Sequence, residues 1–222
     1  SWWLQIQHWE SKRGITKEII SEFEIGFVPS NSDYYSHLIK KFNEKEILET
    51  GLFYKNEKYN RFVNRFYSRI IFPIKNIVGD IIAFGGRIIN DNKKTAKYIN
   101  SPETEFYKKG RHIFNLDKAK VNTNKEQEVI VVEGYMDVIS IYSSGIKNVV
   151  SNSGIALTES QINLIWKFFS SPIVCLDGDS SGQKAALRIA ENLLPFIKEN
   201  NKISFVTLPN GLDPDDYIKE KG

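Results

Sequence analysis

Glu128-Val-Ile-Val-Val-Glu-Gly-Tyr-Met-Asp-Val138 opens as an unbroken apolar run, meets a carboxylate and a glycine, and then turns helical. An apolar strand without polar alternation is covered on both faces, as in a parallel sheet flanked by helices. The theme recurs downstream. Asn148-Val-Val-Ser151, Pro172-Ile-Val-Cys-Leu176 and Ile203-Ser-Phe-Val-Thr-Leu208 read as further strands. Between them, helices are expected through Ile139–Ser144, from the capping box Thr158-Glu-Ser-Gln161, over Ser181–Asn200 and from Pro214 to Glu220. Strand–helix alternation of this kind builds an α/β domain, and such sheets place their sites at the carboxyl ends of the strands.

Those ends carry acid. The first strand runs into Glu133, the third into Asp177-Gly-Asp179, and the fourth leads to Gly211-Leu-Asp213-Pro-Asp215. Asp-Gly alone is a turn signal, but three strand ends that all deliver carboxylates to one rim ask for more. Two carboxylates about 4 Å apart repel by roughly 4 kcal/mol at an effective dielectric near 20, so such a group takes up protons or divalent cations. With only oxygen donors and no His or Cys nearby, magnesium or manganese fits better than zinc.

Upstream the texture differs. Thr16–Phe23 and Asp33–Glu49 read as helices around a Gly26–Ser30 loop, and Ser1–Trp9 as the end of a helix with Trp2, Trp3, Ile6 and Trp9 on one side. Ser68–Lys75 and Asp80–Ile89 form a hairpin-like pair, and Lys97–Arg111 looks irregular, with Ser101–Thr104 able to cap a short turn. The polar stretch Asn122–Glu128 is the best boundary. It divides an α+β basic subdomain, 1–127, from an α/β domain, 128–222, with about four parallel strands. The net charge of +3 hides an asymmetry: residues 1–128 hold 22 Lys/Arg against 16 Asp/Glu, and 129–222 hold 8 against 11. The window 55–125 has 16 basic and 6 acidic residues, as suits a surface that holds a polyanion.

The 222 residues are 41% apolar and 26% charged, and no apolar run approaches the roughly 20 residues of a membrane span. The only cysteine, Cys175, excludes an internal disulfide and reads as core packing in a reducing compartment. His8, His37 and His112 have no metal-ligand spacing, and no zinc site is expected.

A strand ending in Glu-Gly followed by one ending in Asp-x-Asp resembles the Toprim domain of primases, topoisomerases and some nucleases. Val131–Val138, Asp177-Gly-Asp-Ser-Ser-Gly-Gln-Lys-Ala-Ala186, Gly154 and Gly211–Asp215 are similar to the bacterial replicative primase version. So are Arg69-Ile-Ile-Phe-Pro-Ile74, Ala83-Phe-Gly-Gly-Arg87 and Lys97-Tyr-Ile-Asn-Ser-Pro-Glu-Thr104, strings that other Toprim proteins lack. The likeness runs from about Lys12 to the end. Ala96 departs from a frequent proline, and Asn152-Ser153 from a more apolar lead into Gly154.

The resemblance implies a nucleotidyltransferase, a DNA-directed RNA polymerase that starts short RNA chains on single-stranded DNA. Glu133 would be the catalytic metal-binding glutamate, Asp177 the ligand shared between two metals and Asp179 a ligand of the second. Asp137, Asp213 and Asp215 would orient metal-bound water, although Asp137 equally suits a helix terminus. Arg87, Lys97 and Lys109 would line a junction between the subdomains and touch DNA or nucleotide phosphates, with Asn100 and Arg111 beside them. Arg65 and Arg69 would track template backbone, and Tyr98 would stack on a base. Magnesium, or manganese in its place, would be the cofactor and ribonucleoside triphosphates the substrates. The partners implied are the template, the RNA–DNA hybrid and, through regions outside this chain, a replicative helicase. The expected setting is a monomer at the replication fork in bacterial cytoplasm, or in an organelle matrix. The family's zinc-binding module, helicase-binding region and part of its helical core are expected to lie outside these residues. Other readings of the same carboxylates are a different Toprim enzyme, nuclease or topoisomerase-like, and a non-catalytic nucleic-acid-binding module.

Overall fold

The computed structural model describes residues 14–30, 33–89, 95–122, 127–154, 156–209 and 211–221, so the expected Trp-bearing helix at 1–9 lies outside the described residues. Two compact units emerge. One holds the described residues up to Ile74 together with Ile81–Lys108; the other holds Lys75–Asp80 and the chain from Lys109 onward.

In the first unit, Thr16 accepts from the Ile19 N–H and caps helix α1, Lys17–Glu22. Strand β1, Gly26–Val28, replaces the expected loop. The single helix expected over Asp33–Glu49 is two: α2, Tyr34–Leu38, capped by Asp33, and α3, Glu44–Glu49, opened by an Asn43/Glu46 capping box. A fresh cap at Asn43 starts a new helix because its side chain satisfies an N–H that a continuous helix would not leave open. Strands β2, Phe53–Asn56, and β3, Arg61–Asn64, pair antiparallel. Strands β4, Arg69–Lys75, and β5, Ile81–Ile88, are the expected hairpin, and β6, Tyr98–Asn100, adds to them out of the stretch expected to be irregular. The resulting sheet has the order β1-β4-β5-β6. Strand β4 is its buried centre, with Ile70, Phe72 and Ile74 almost fully enclosed.

The second unit is built on the parallel sheet β10-β9-β7-β8, from β7, Glu128–Val132, β8, Val149–Ser151, β9, Ser171–Leu176, and β10, Ser204–Thr207. Helices α5, Tyr135–Ser143, α6, Glu159–Ile165, α7, Ser180–Leu193, and α8, Pro214–Lys221, alternate with the strands as their periodicity requires. Val129, Val131, Val150, Ile162, Ile165, Phe169 and Val174 form its core.

Compactness draws the line at Lys109, upstream of the expected 127/128 division. The physical reason lies in backbone bonds. Phe114 exchanges two hydrogen bonds with Ser151 at the edge of β8 (2.9 and 3.1 Å), and Asn115 donates to the Val149 carbonyl at 2.8 Å. The capping box of α6 also reaches outward: the Thr158 hydroxyl donates to the Gly110 carbonyl, and the Gln161 amide to the carbonyls of Lys109 and His112. The 3₁₀ turn Lys109–Arg111 and helix α4, Leu116–Ala119, are thereby bound into the second unit.

Candidate active site

Glu133, Asp177, Asp179 and Asp213 each directly follow a strand or cap the start of a helix. Glu133 follows β7, and its carbonyl is fixed from two sides by the Ser151 hydroxyl (2.7 Å) and the Gly154 N–H (2.8 Å). Its side chain is half-buried. Asp177 directly follows the adjacent strand β9, and Asp179 caps α7, accepting from the Gly182 N–H at 2.7 Å. A carboxylate at a helix N-terminus also meets the positive end of the helix dipole.

Two glycines make this corner possible. A Cβ on Gly178 would sit 2.0 Å from the Pro209 carbonyl oxygen, and one on Gly182 would sit 2.1 Å from that of Asp177. The Gly178 N–H donates to the Leu212 carbonyl at 2.9 Å, so the 208–212 loop is drawn against the 177–179 turn. That loop leads to Asp213, which caps α8 through the Asp216 N–H at 2.7 Å, and α8 packs on α5.

The carboxylates feel one another. Burial first, then Asp179, raises the Glu133 carboxyl above its usual range. Burial and the charges of Glu133, Asp213 and Asp179 push Asp177 up to about 6. Asp137, on α5, is pushed up to about 7 by burial and then by Asp213 and Asp177, against the opposing pull of its bond to the Gly134 N–H at 3.0 Å. Among the described residues no Lys or Arg pairs with Glu133, Asp137, Asp177, Asp179 or Asp213. Asp215 is different: it is buried and bonded to Lys219 at 2.6 Å. That ion pair fits a helix-stabilising role better than a ligand role. Cys175 is buried as expected, its thiol pushed up to about 11.

Oxygen-only, mutually repelling and without a basic counterion, this donor set suits a hard divalent cation. Among the described residues no three acidic side chains already meet as a ready-made cage. Magnesium needs only one or two carboxylates, with water and substrate phosphates completing its shell.

Raised carboxyl values have a consequence for stability. The folded chain binds these protons more tightly than the unfolded chain, so the contribution is present at low pH and is lost as pH rises through about 6 and 7. Without divalent ions, Asp137→Asn should therefore stabilise the protein by on the order of 3 kcal/mol more at pH 8 than at pH 4. The substitution keeps an oxygen for the Gly134 N–H. Thermal unfolding in a chelator checks this, and equal effects at both pH values would contradict it.

The basic residues separate into two kinds. Arg69 was expected to follow template, yet it is only 7% exposed, and its guanidinium donates to the carbonyls of Gly86, Ala96 and Lys97. Its charge holds the approach to β6 with little of it open to solvent; burial also lowers its proton affinity. Arg87 is more enclosed still, at 4%, and its Nε finds no acceptor among the described residues. Its guanidinium lies 5.7 Å from the Tyr98 ring, which the β5–β6 register brings opposite. Lys97 and Arg111 are exposed, Asn100 is half-buried opposite Gly85, and Lys109 is half-buried with its proton affinity lowered by burial. Arg65 keeps its Nε on the Gly51 carbonyl at 3.0 Å. In the first unit Arg87 on β5 thus neighbours Tyr98 and Asn100 on β6, with Lys97 just ahead of that strand.

The family described as DNA primase catalytic core, N-terminal domain, matches residues 4–120, and the Toprim-like family matches residues 130–218. The DNA primase of Haemophilus influenzae is 37% identical over 223 residues, covering 98% of this chain and 37% of that protein. The Rickettsia conorii DNA primase is 39% identical over 223 residues, covering 98% of this chain and 36% of that protein. Little more than a third of these relatives' length is therefore spanned. Among solved structures, a DNA primase domain from Pseudomonas aeruginosa superimposes with a TM-score of 0.89 at 37% identity, covering 97% of this chain and 67% of that one. A primase catalytic domain bound to single-stranded DNA gives 0.89 at 34%, covering 98% and 68%. An α+β N-terminal part followed by an α/β Toprim domain is the architecture of that group, and with matches of this extent the chain belongs to the DNA primase catalytic-core family.

Proposed function

We propose that the chain is the polymerising core of a primase, joining ribonucleotides into short RNA on a single-stranded DNA template. The observation that carries this reading is the carboxylate corner. Glu133 and the Asp177–Asp179 pair follow neighbouring parallel strands, burial and like charge raise the Glu133 and Asp177 carboxyls, and none of the three has a basic partner among the described residues.

Glu133, Asp177 and Asp179 would hold magnesium, with manganese able to replace it. When bound, that ion supplies charge for an attacking 3′-hydroxyl and a pyrophosphate leaving group. The chain's own residues do the rest. Ser151 and Gly154 hold the Glu133 backbone, Asp137 fixes the start of α5, and Asp213 fixes the start of α8. Arg87 is a buried cation with a donor unsatisfied among the described residues, and an anionic oxygen of DNA or nucleotide suits it. Lys97, Lys109 and Arg111 would add charge toward phosphates, and Tyr98 a face for a base. The template, the RNA–DNA hybrid and a replicative helicase are the proposed partners, and bacterial cytoplasm the setting. No helix among the described residues is long and apolar enough to cross a membrane.

Single-stranded DNA, ribonucleotides and magnesium or manganese test the reading together. New short RNA supports it; shortened DNA without RNA would favour a nuclease. Lys97→Ala should weaken DNA binding at low salt by about tenfold and reduce the salt slope by about 1, as measured by a salt-series binding titration. Unchanged affinity at low salt would remove Lys97 from the surface.

A further inference from the structure

Thr158 and Gln161 open helix α6 as a capping box that is complete within itself. The Thr158 hydroxyl oxygen accepts from the Gln161 N–H at 3.1 Å, and the Gln161 side-chain oxygen accepts from the Thr158 N–H at 3.1 Å. The hydroxyl and amide hydrogens left over would go to water at an ordinary helix start. Here they converge on one short segment. The hydroxyl donates to the Gly110 carbonyl at 2.6 Å, and the amide to the carbonyls of Lys109 at 3.2 Å and His112 at 2.9 Å. Gln161 is 0% exposed, so solvent cannot replace its amide, and removing it leaves two carbonyls without their donor.

The segment held in this way is the 3₁₀ turn Lys109–Arg111. A single 3₁₀ turn has poor hydrogen-bond geometry of its own, so its shape depends on what grips it from outside. Lys109 is half-buried, and burial lowers its proton affinity; its ammonium has already given up part of its hydration. Such a cation gains most from a phosphate met in a preset geometry, and a loose backbone would forfeit that gain.

We infer that Gln161, assisted by Thr158, is a positioning residue that clamps the Lys109–Arg111 backbone so that the Lys109 ammonium meets a phosphate of template or ribonucleoside triphosphate. The inference rests on the reading of Lys109 as a phosphate contact. It deepens that reading by giving a role to an uncharged side chain 52 residues further along the chain.

Fluorescein-labelled oligo(dT), titrated over a salt series, and a fluorescent ATP analogue in magnesium separate the two sources of phosphate. Lys109→Ala should lower affinity about tenfold in at least one arm and, where DNA responds, reduce the salt slope by about 1. Gln161→Leu exchanges one neutral side chain for another. In the same arm it should still lose at least about fivefold and, with DNA, about the same slope, a change that loss of stability alone does not produce. Gln161→Leu/Lys109→Ala should bind no more weakly than Lys109→Ala, because a positioning residue acts only through the group it positions. Thr158→Val should lose about threefold, and Thr158→Ser, which keeps the hydroxyl, should bind as the wild type does. Titrations run below the thermal transition of each variant; if Gln161→Leu does not fold, the Thr158 pair decides by the same comparison.

Wild-type affinity and slope in Gln161→Leu beside an impaired Lys109→Ala overturns the inference and leaves Lys109 in its role. Additive losses in the double variant overturn it too. Wild-type binding by Lys109→Ala in both arms removes Lys109 from the phosphate contacts and takes the inference with it. Lack of RNA synthesis in the polymerase assay leaves these binding results standing.

Discussion

Primer synthesis should fall at least about a thousandfold when Glu133 is replaced by Gln or Asp177 by Asn, while affinity for single-stranded DNA should stay within about threefold. Both substitutions keep shape and remove charge. The Glu133 backbone is anchored by Ser151 and Gly154 through its carbonyl, so the side chain can change without loosening the turn. The folded protein should lose nothing, because burial and like charge already disfavour the ionised form at both positions. Synthesis assays with a labelled ribonucleotide, read beside DNA-binding titrations, separate the two effects. Near-normal synthesis in either variant would refute the assignment of these carboxylates.

Gly178→Ala should cost on the order of 3 kcal/mol or more of stability, and Gly182→Ala a similar amount. The added methyl would lie 2.0 Å from the Pro209 oxygen in the first case and 2.1 Å from the Asp177 oxygen in the second. Backbone atoms cannot swing aside as a side-chain tip would, and the Gly178–Leu212 bond ties the two segments together. Relief requires parting the 208–212 loop from the 177–179 turn, which also displaces Asp213 from Asp177. Gly26→Ala, where a methyl meets nothing within 4 Å, is the control and should shift stability by less than about 0.5 kcal/mol. Urea unfolding measures all three. Wild-type stability in Gly178→Ala would mean that the two segments do not meet as described.

The parallel sheet was legible because its strands are unbroken apolar runs, and the carboxylates were legible because they follow those runs directly. The Thr158 capping box was also written in the sequence. What it did alongside was not: its spare oxygen and amide hold Gly110, Lys109 and His112, contacts made across about fifty residues of chain with no local signature. Strands β2 and β3 escaped notice because four-residue strands mixing Lys, Arg and Asn with aromatic residues look like a polar loop. The two arginines 69 and 87 show the same limit in the site. Both sit in apolar strings of similar texture, yet one is bonded to three backbone carbonyls and the other lies buried beside Tyr98 with a donor unmet among the described residues. Tertiary contacts alone decide between them. Asp215 and Asp213 likewise shared one motif, and only the fold pairs Asp215 with Lys219 and turns Asp213 to the start of α8.

The most direct measurement is anomalous diffraction from crystals soaked in manganese. Density held by the Glu133 carboxylate together with Asp177 or Asp179, and lost in Glu133→Gln, is the predicted result. Manganese that settles elsewhere, or a Glu133 side chain left bare of metal at saturating concentration, would contradict a polymerase built on this corner.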